Sequence, residues 1–223
     1  MFDWMLLSKL PESCYIVVDN TWLTAELFNP FDVGAHIIVE SCSKYVSGGR
    51  CISGAAAFKL SNDYATKKTT SFVKCGGIHL SPTYCDFVRT GIGELSSTME
   101  LLNTKTQAMV QFLLEQPNVL QVDYPTLPTH KTYSIYQKYV GVKGPGVIWF
   151  KVAFNCNDKS WRNKFKTIVT SSGIDLSTSF CKSYSLIDSW PKGKGSSIWL
   201  RMSLGYSNEP GLNSKIAKMM AKF

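Results

Sequence analysis

The stretch HIIVESCSKYVSGG, residues 36–49, places an apolar, β-branched run directly before Ser41, Ser43, Lys44, Tyr45 and a glycine pair. Ile37, Ile38 and Val39 favour a buried strand, and the glycines end it. Open α/β sheets bind ligands outside the carboxyl ends of their strands, so two hydroxyls and an ammonium at that position suggest a site more than an ordinary turn. Upstream, residues 15–18 form a second β-branched run ending at Asp19, and residues 23–33 read as a connector or short helix broken at Pro30. Strand, crossover and strand in so few residues predict neighbouring parallel strands, with Asp19 and Lys44 facing one crevice.

Working outward, residues 2–10 read as the end of a helix stopped by Pro11, and VSGGRCISGAAAFKL as a glycine-rich turn and a third strand of small residues. Residues 61–80, rich in Thr and Lys, read as a loop with a short helix. Ser81-Pro82 is a helix start, with helix expected to about residue 96 and again through 116. NVLQVDYP, GVIWFKVAF, FKTIVTSSGIDLSTSF and SSIWLRMSLGYS then read as strand-like pieces, followed by an amphipathic helix over 211–223. The fold class is α/β: a mostly parallel sheet in residues 1–95 and a carboxyl-terminal α/β domain in residues 96–223.

The 223 residues, 44% hydrophobic, suffice for a globular core. The net charge of +8 could attract nucleic acid, an anionic surface or phosphorylated small molecules, but the cations are scattered as on solvated faces, and neither nucleic acid nor membrane is expected as a partner. The seven cysteines include no CxxC pair and no histidine at metal-ligand spacing, which argues against a disulfide framework or zinc site and for the reducing cytoplasm. The amino-terminal apolar run is too short and interrupted for a secretory signal.

Lys44 carries the sharpest chemistry. A lysine amine whose charged form is destabilised becomes a nucleophile toward carbonyls, and pyridoxal 5'-phosphate is the cofactor most often held that way. That group also needs an acid at its pyridine nitrogen and donors for its phosphate, which Asp19, Ser41 and Ser43 could supply. Each residue alone has a plainer explanation in an exposed lysine, a turn aspartate or loop serines.

YIVVDNTW followed by GAHIIVESCSKYVSGG resembles the two signature strands of the pyridoxal-phosphate enzymes of Cys/Met metabolism, namely the cystathionine synthases and lyases and methionine lyase. VLQVDYPTLPTHKTY, DLSTSFCKSYSLI and WLRMSLGYSNE resemble further motifs of that family in family order. The resemblance implies a fold-type-I transferase acting as a carbon–sulfur lyase or γ-replacement enzyme on cysteine, homocysteine or cystathionine. It implies Lys44 as the cofactor-attaching lysine and proton carrier, Asp19 as the pyridinium acid, and Ser41 and Ser43 as phosphate ligands. It also implies Arg201 as the fork that grips the substrate carboxylate, with Ser179 nearby.

The chain departs from the pattern after the lysine, where Gly48, Gly49, Arg50 and Cys51 replace glycine, histidine and an acid, and at Cys181 and Lys182, which replace two glycines. It matches only the second half of family members, so a truncated sheet with an exposed apolar edge is expected. That expectation carries an alternative function, a catalytically inactive remnant that oligomerises with itself or binds a full-length relative.

Overall fold

The computed structural model describes residues 2–11, 13–59, 63–189 and 195–223. It divides into two compact units, Met1–Ser97 and Thr98–Phe223.

In the first unit, β1 (Val17–Asp19) and β2 (Ile37–Glu40) run parallel, with Asp19 opposite Val39. The crossover between them holds α1 (Thr24–Leu27) and a 3-10 turn, Pro30–Val33, that Asn29 caps by accepting the Phe31 amide at 3.2 Å. Gly34 closes the turn at φ 96°, where only glycine sits without strain. The strand β3 (Ala55–Phe58) returns antiparallel to β2, giving the order β1-β2-β3. The mostly parallel sheet expected from sequence is therefore mixed here, because the connection over 41–54 holds no crossover helix and brings the chain straight back.

Three local readings change. Residues 2–10 contain a 3-10 helix, Trp4–Lys9, capped by Asp3, in place of an α-helix end. The helix expected within 61–80 is longer than read: α2 (Asp63–Gly76) has 14 residues, none of them buried, and an exposed Lys67–Asp63 pair one turn apart. The two expected helices after Ser81 are one, α3 (Pro82–Leu114), 33 residues long. Its first turns belong to the first unit and its remainder to the second.

The second unit carries a five-stranded sheet in the order β4-β5-β8-β7-β6. Its elements are β4 (Val119–Asp123), α4 (Tyr133–Tyr139), β5 (Val147–Ala153), α5 (Trp161–Ser171), β6 (Asp175–Leu176), β7 (Leu186–Ser189), β8 (Ser197–Ser203) and α6 (Leu212–Met220). All its ladders are antiparallel except β6 with β7. Residues 165–171, read above as strand, are helix because Trp161, Phe165 and Val169 recur every four residues and all three are buried. The core lies on one sheet face: Ile148, Phe150 and Val152 of β5 stand opposite Met202, Leu200 and Ile198 of β8, and all six are fully buried. The opposite face presents Trp149, Lys151, Trp199 and Arg201, each half-buried.

Candidate functional site

Asp19 ends β1 and Ser41 follows β2, so the parallel pairing brings both to one end of the first unit's sheet. Thr21 links them. Its backbone N–H donates to Asp19 Oδ1 at 3.0 Å and its hydroxyl to the same oxygen at 2.5 Å, while the hydroxyl oxygen accepts the Ser41 N–H at 2.9 Å. The two donations fix the carboxylate's orientation through Oδ1 and leave Oδ2 for another partner. Sequence reading missed Thr21, although a threonine two residues after an aspartate is an ordinary local side-chain turn.

Asp19, Thr21 and Ser41 share a cavity of about 730 Å³ with Glu40, the small residues Gly54–Ala56, and Lys74 and His79. Its size is that of a small-molecule site, and the small residues leave room for a bulky occupant. Burial, and secondarily the Asp19 charge, push the Glu40 carboxyl up to about 7.

The remaining sequence candidates lie in the turn after Ser41. Lys44 is half-buried, and its N–H donates to Ser41 O at 3.0 Å, which fixes the lysine one turn beyond the serine. Lys44 is not among the residues lining the cavity. Ser43 is committed elsewhere: its hydroxyl donates to Ser53 O at 3.1 Å and accepts the Ser53 N–H at 2.8 Å, clamping the turn. A phosphate on Ser43 would have to take over that donated hydrogen bond. Cys42, Tyr45, Val46, Ser47 and Cys51 are buried around the turn. Gly91 of α3 lies so near that a Cβ there would stand 1.6 Å from Val46 O.

In the second unit, strand register aligns Asp123, Trp149, Arg201 and Asp188 in a row across β4, β5, β8 and β7 on the half-buried face. Arg201 donates from Nη2 to Thr178 O, which places its guanidinium beside the loop that contains Ser179. Ser179 is half-buried, and its N–H donates to Ser177 Oγ at 3.2 Å. His130 Nε2 lies 3.5 Å from Asp123, and its Nδ1 accepts the Thr132 N–H at 3.1 Å. Burial lowers the His130 pKa, against the opposing pull of Asp123. Cys181, standing where the family pattern has glycine, adopts φ 64°, a left-handed conformation that strains any side chain.

The described residues include no group of three or more His, Cys, Asp or Glu that could hold a metal, and no helix among them is long and apolar enough to cross a membrane.

The sequence profile described as Cys/Met metabolism PLP-dependent enzyme matches residues 6–192. A mimosinase of Mimosa pudica is 32% identical over 138 residues, which cover 61% of this chain and 30% of that protein. A cystathionine gamma-lyase of Dictyostelium discoideum is 32% identical over 136 residues, 60% of this chain and 35% of the relative. Among solved structures, a cystathionine gamma synthase of Xanthomonas oryzae pv. oryzae superposes on the whole chain with a TM-score of 0.85 at 18% identity, and the match covers 59% of that structure. The matches thus span about a third of the curated relatives' lengths and somewhat over half of this solved chain.

Proposed function

Because the chain belongs to the Cys/Met metabolism PLP-dependent enzymes, we propose that it carries the cofactor-attaching and carboxylate-gripping residues of a carbon–sulfur lyase or γ-replacement enzyme. Its substrate class is the sulfur amino acids, cysteine, homocysteine and cystathionine. The observation that carries the reading is the Asp19–Thr21–Ser41 linkage at the end of parallel strands, in a cavity of suitable size, with Lys44 one turn beyond.

The residues present fit pyridoxal phosphate in part. Asp19, oriented by Thr21 and with Oδ2 available, suits a protonated ring nitrogen, and Ser41 suits a phosphate oxygen as donor, whereas Ser43 is already engaged with Ser53. When bound, the cofactor supplies an electron sink for charge developing at the substrate Cα. The chain's own part is to hold and move protons and to orient the substrate. Lys44 Nζ would take the Cα proton and return it, and the Ser43–Ser53 clamp with the buried residues around it would keep that amine in place. Arg201 would hold the substrate carboxylate through the guanidinium donors not given to Thr178 O.

Trapping tests this directly. After incubation with pyridoxal phosphate and borohydride reduction, peptide mass spectrometry is expected to find the label on Lys44 and to lose it in Lys44→Ala. A label distributed over surface lysines and unchanged in the variant overturns the assignment.

A second reading, a binding chain, is favoured by one observation. β1 and β3 are the outer strands of a three-stranded sheet, and Tyr15 and Val17 at the β1 edge are 59% and 55% exposed. Self-association or pairing with a full-length relative would cover that edge, and sedimentation as a monomer at all concentrations would remove self-association. A cytoplasmic location completes the proposal, supported by seven cysteines of which none forms a disulfide. Co-fractionation of the protein with secreted or organellar markers would refute it.

A further inference from the structure

We propose that Asp188 decides which carboxylate ligands Arg201 accepts, favouring amino acids whose far end is neutral or cationic and disfavouring those with a second carboxylate. The inference rests on the assignment of Arg201 as the carboxylate grip and adds the residue that sets its selectivity.

The geometry comes from the sheet. In the order β8-β7-β6, Arg201 stands on the first strand and donates to Thr178 O, just beyond the end of the third. The arginine therefore reaches across β7, where Asp188 is its register partner and points to the same face. Yet the two make no ion pair. Asp188 Oδ2 is buried and has no hydrogen-bond partner among the described residues. The other acid in the row, Asp123, has His130 at 3.5 Å.

A buried carboxylate oxygen without a partner is costly to keep, and nothing in its own strand compensates it. Its charge acts on whatever anion approaches Arg201. One carboxylate still gains from the guanidinium fork, which supplies donors in fixed geometry. A second carboxylate on the same ligand adds repulsion from Asp188 without a second fork, and a distal ammonium adds attraction. Selection by a repulsive group is a general route to specificity. Sequence reading passed over Asp188 because an acid in the short run LIDS has no signature until β7 and β8 are paired.

Calorimetric titration of the full chain with propionate and succinate tests the inference. The wild type is expected to prefer propionate. Asp188→Asn is expected to tighten succinate by roughly 5–10-fold and propionate by less than about 3-fold, the scale of one screened charge at this range. Asp188→Glu should keep the wild-type ratio, which a purely packing role would not predict. Asp188→Ser serves as the neutral variant if the asparagine protein does not fold. Arg201→Ala should abolish binding of both ligands. An unchanged ratio in the neutral variant, with both ligands lost in Arg201→Ala, overturns the role of Asp188 and leaves the arginine assignment standing. Binding that survives Arg201→Ala, or none in the wild type, overturns that assignment and this inference with it.

Discussion

Thr21 and Glu40 show how single side chains near Asp19 set the behaviour of the cavity. Replacing Thr21 with valine keeps the shape but removes the hydroxyl that donates to Asp19 and accepts from the Ser41 N–H. The stranded groups are expected to cost about 1–3 kcal/mol, measured by urea denaturation, and to reduce borohydride labelling of Lys44 because the serine turn loses its anchor. Glu40 gives a pH signature. Its folded pKa of about 7 lies above the ordinary 4.5. The unfolded chain therefore loses its proton first as pH rises. The Glu40 contribution is full below pH 4.5, declines between 4.5 and about 7, and is flat above that. Urea midpoints in wild type should fall across that window, and Glu40→Gln should flatten the slope.

At the scale of elements, what was legible in the sequence depended on which interaction dominates each segment. β1 and β2 were readable because isoleucine and valine runs ending at Asp19 and Glu40 carry a local strand signal. The resemblance names Lys44, Asp19, Ser41, Ser43, Arg201 and Ser179 because those positions lie inside contiguous motifs. Thr21's bridging role and the Ser43–Ser53 clamp were not legible, because both are contacts between separate segments. α5 was misread because Phe165, Ile168 and Val169 also suit a strand, and the buried spacing from Trp161 decides the matter. Helix α3 runs through Gly91, which a propensity reading takes as a weak point. Alanine there would gain about 1 kcal/mol of helix propensity. Its Cβ, however, would meet the Val46 backbone oxygen at 1.6 Å, and backbone yields poorly. Overpacking wins, so Gly91→Ala is expected to lower stability by about 1–3 kcal/mol and to weaken Lys44 labelling, since the displaced residue sits in the lysine turn. Phe72 of α2, 69% exposed, is the control: Phe72→Ser should change stability by less than about 0.5 kcal/mol.

For the whole molecule, the two units differ in how much of their own surface they cover. The second unit surrounds β5 and β8 with paired strands on both sides and buries the core-facing residues of both. Among the described residues the first has three short strands, both outer ones without a further strand paired to them, and a helix, α2, that buries none of its residues. The solved relative superposes on all of this chain and yet has further mass, since the match covers only 59% of it. Local opening should follow that difference. Hydrogen exchange is expected to be slowest at Ile148–Val152 and Ile198–Met202 and fast along β1 and β3. If the exposed β1 edge is where a partner strand adds, Val17→Lys should remove any concentration-dependent association in sedimentation without slowing or speeding exchange in β5 and β8, because a charge on an edge strand opposes pairing while leaving the second unit's core intact. Association that persists unchanged in Val17→Lys would place the contact elsewhere on the chain.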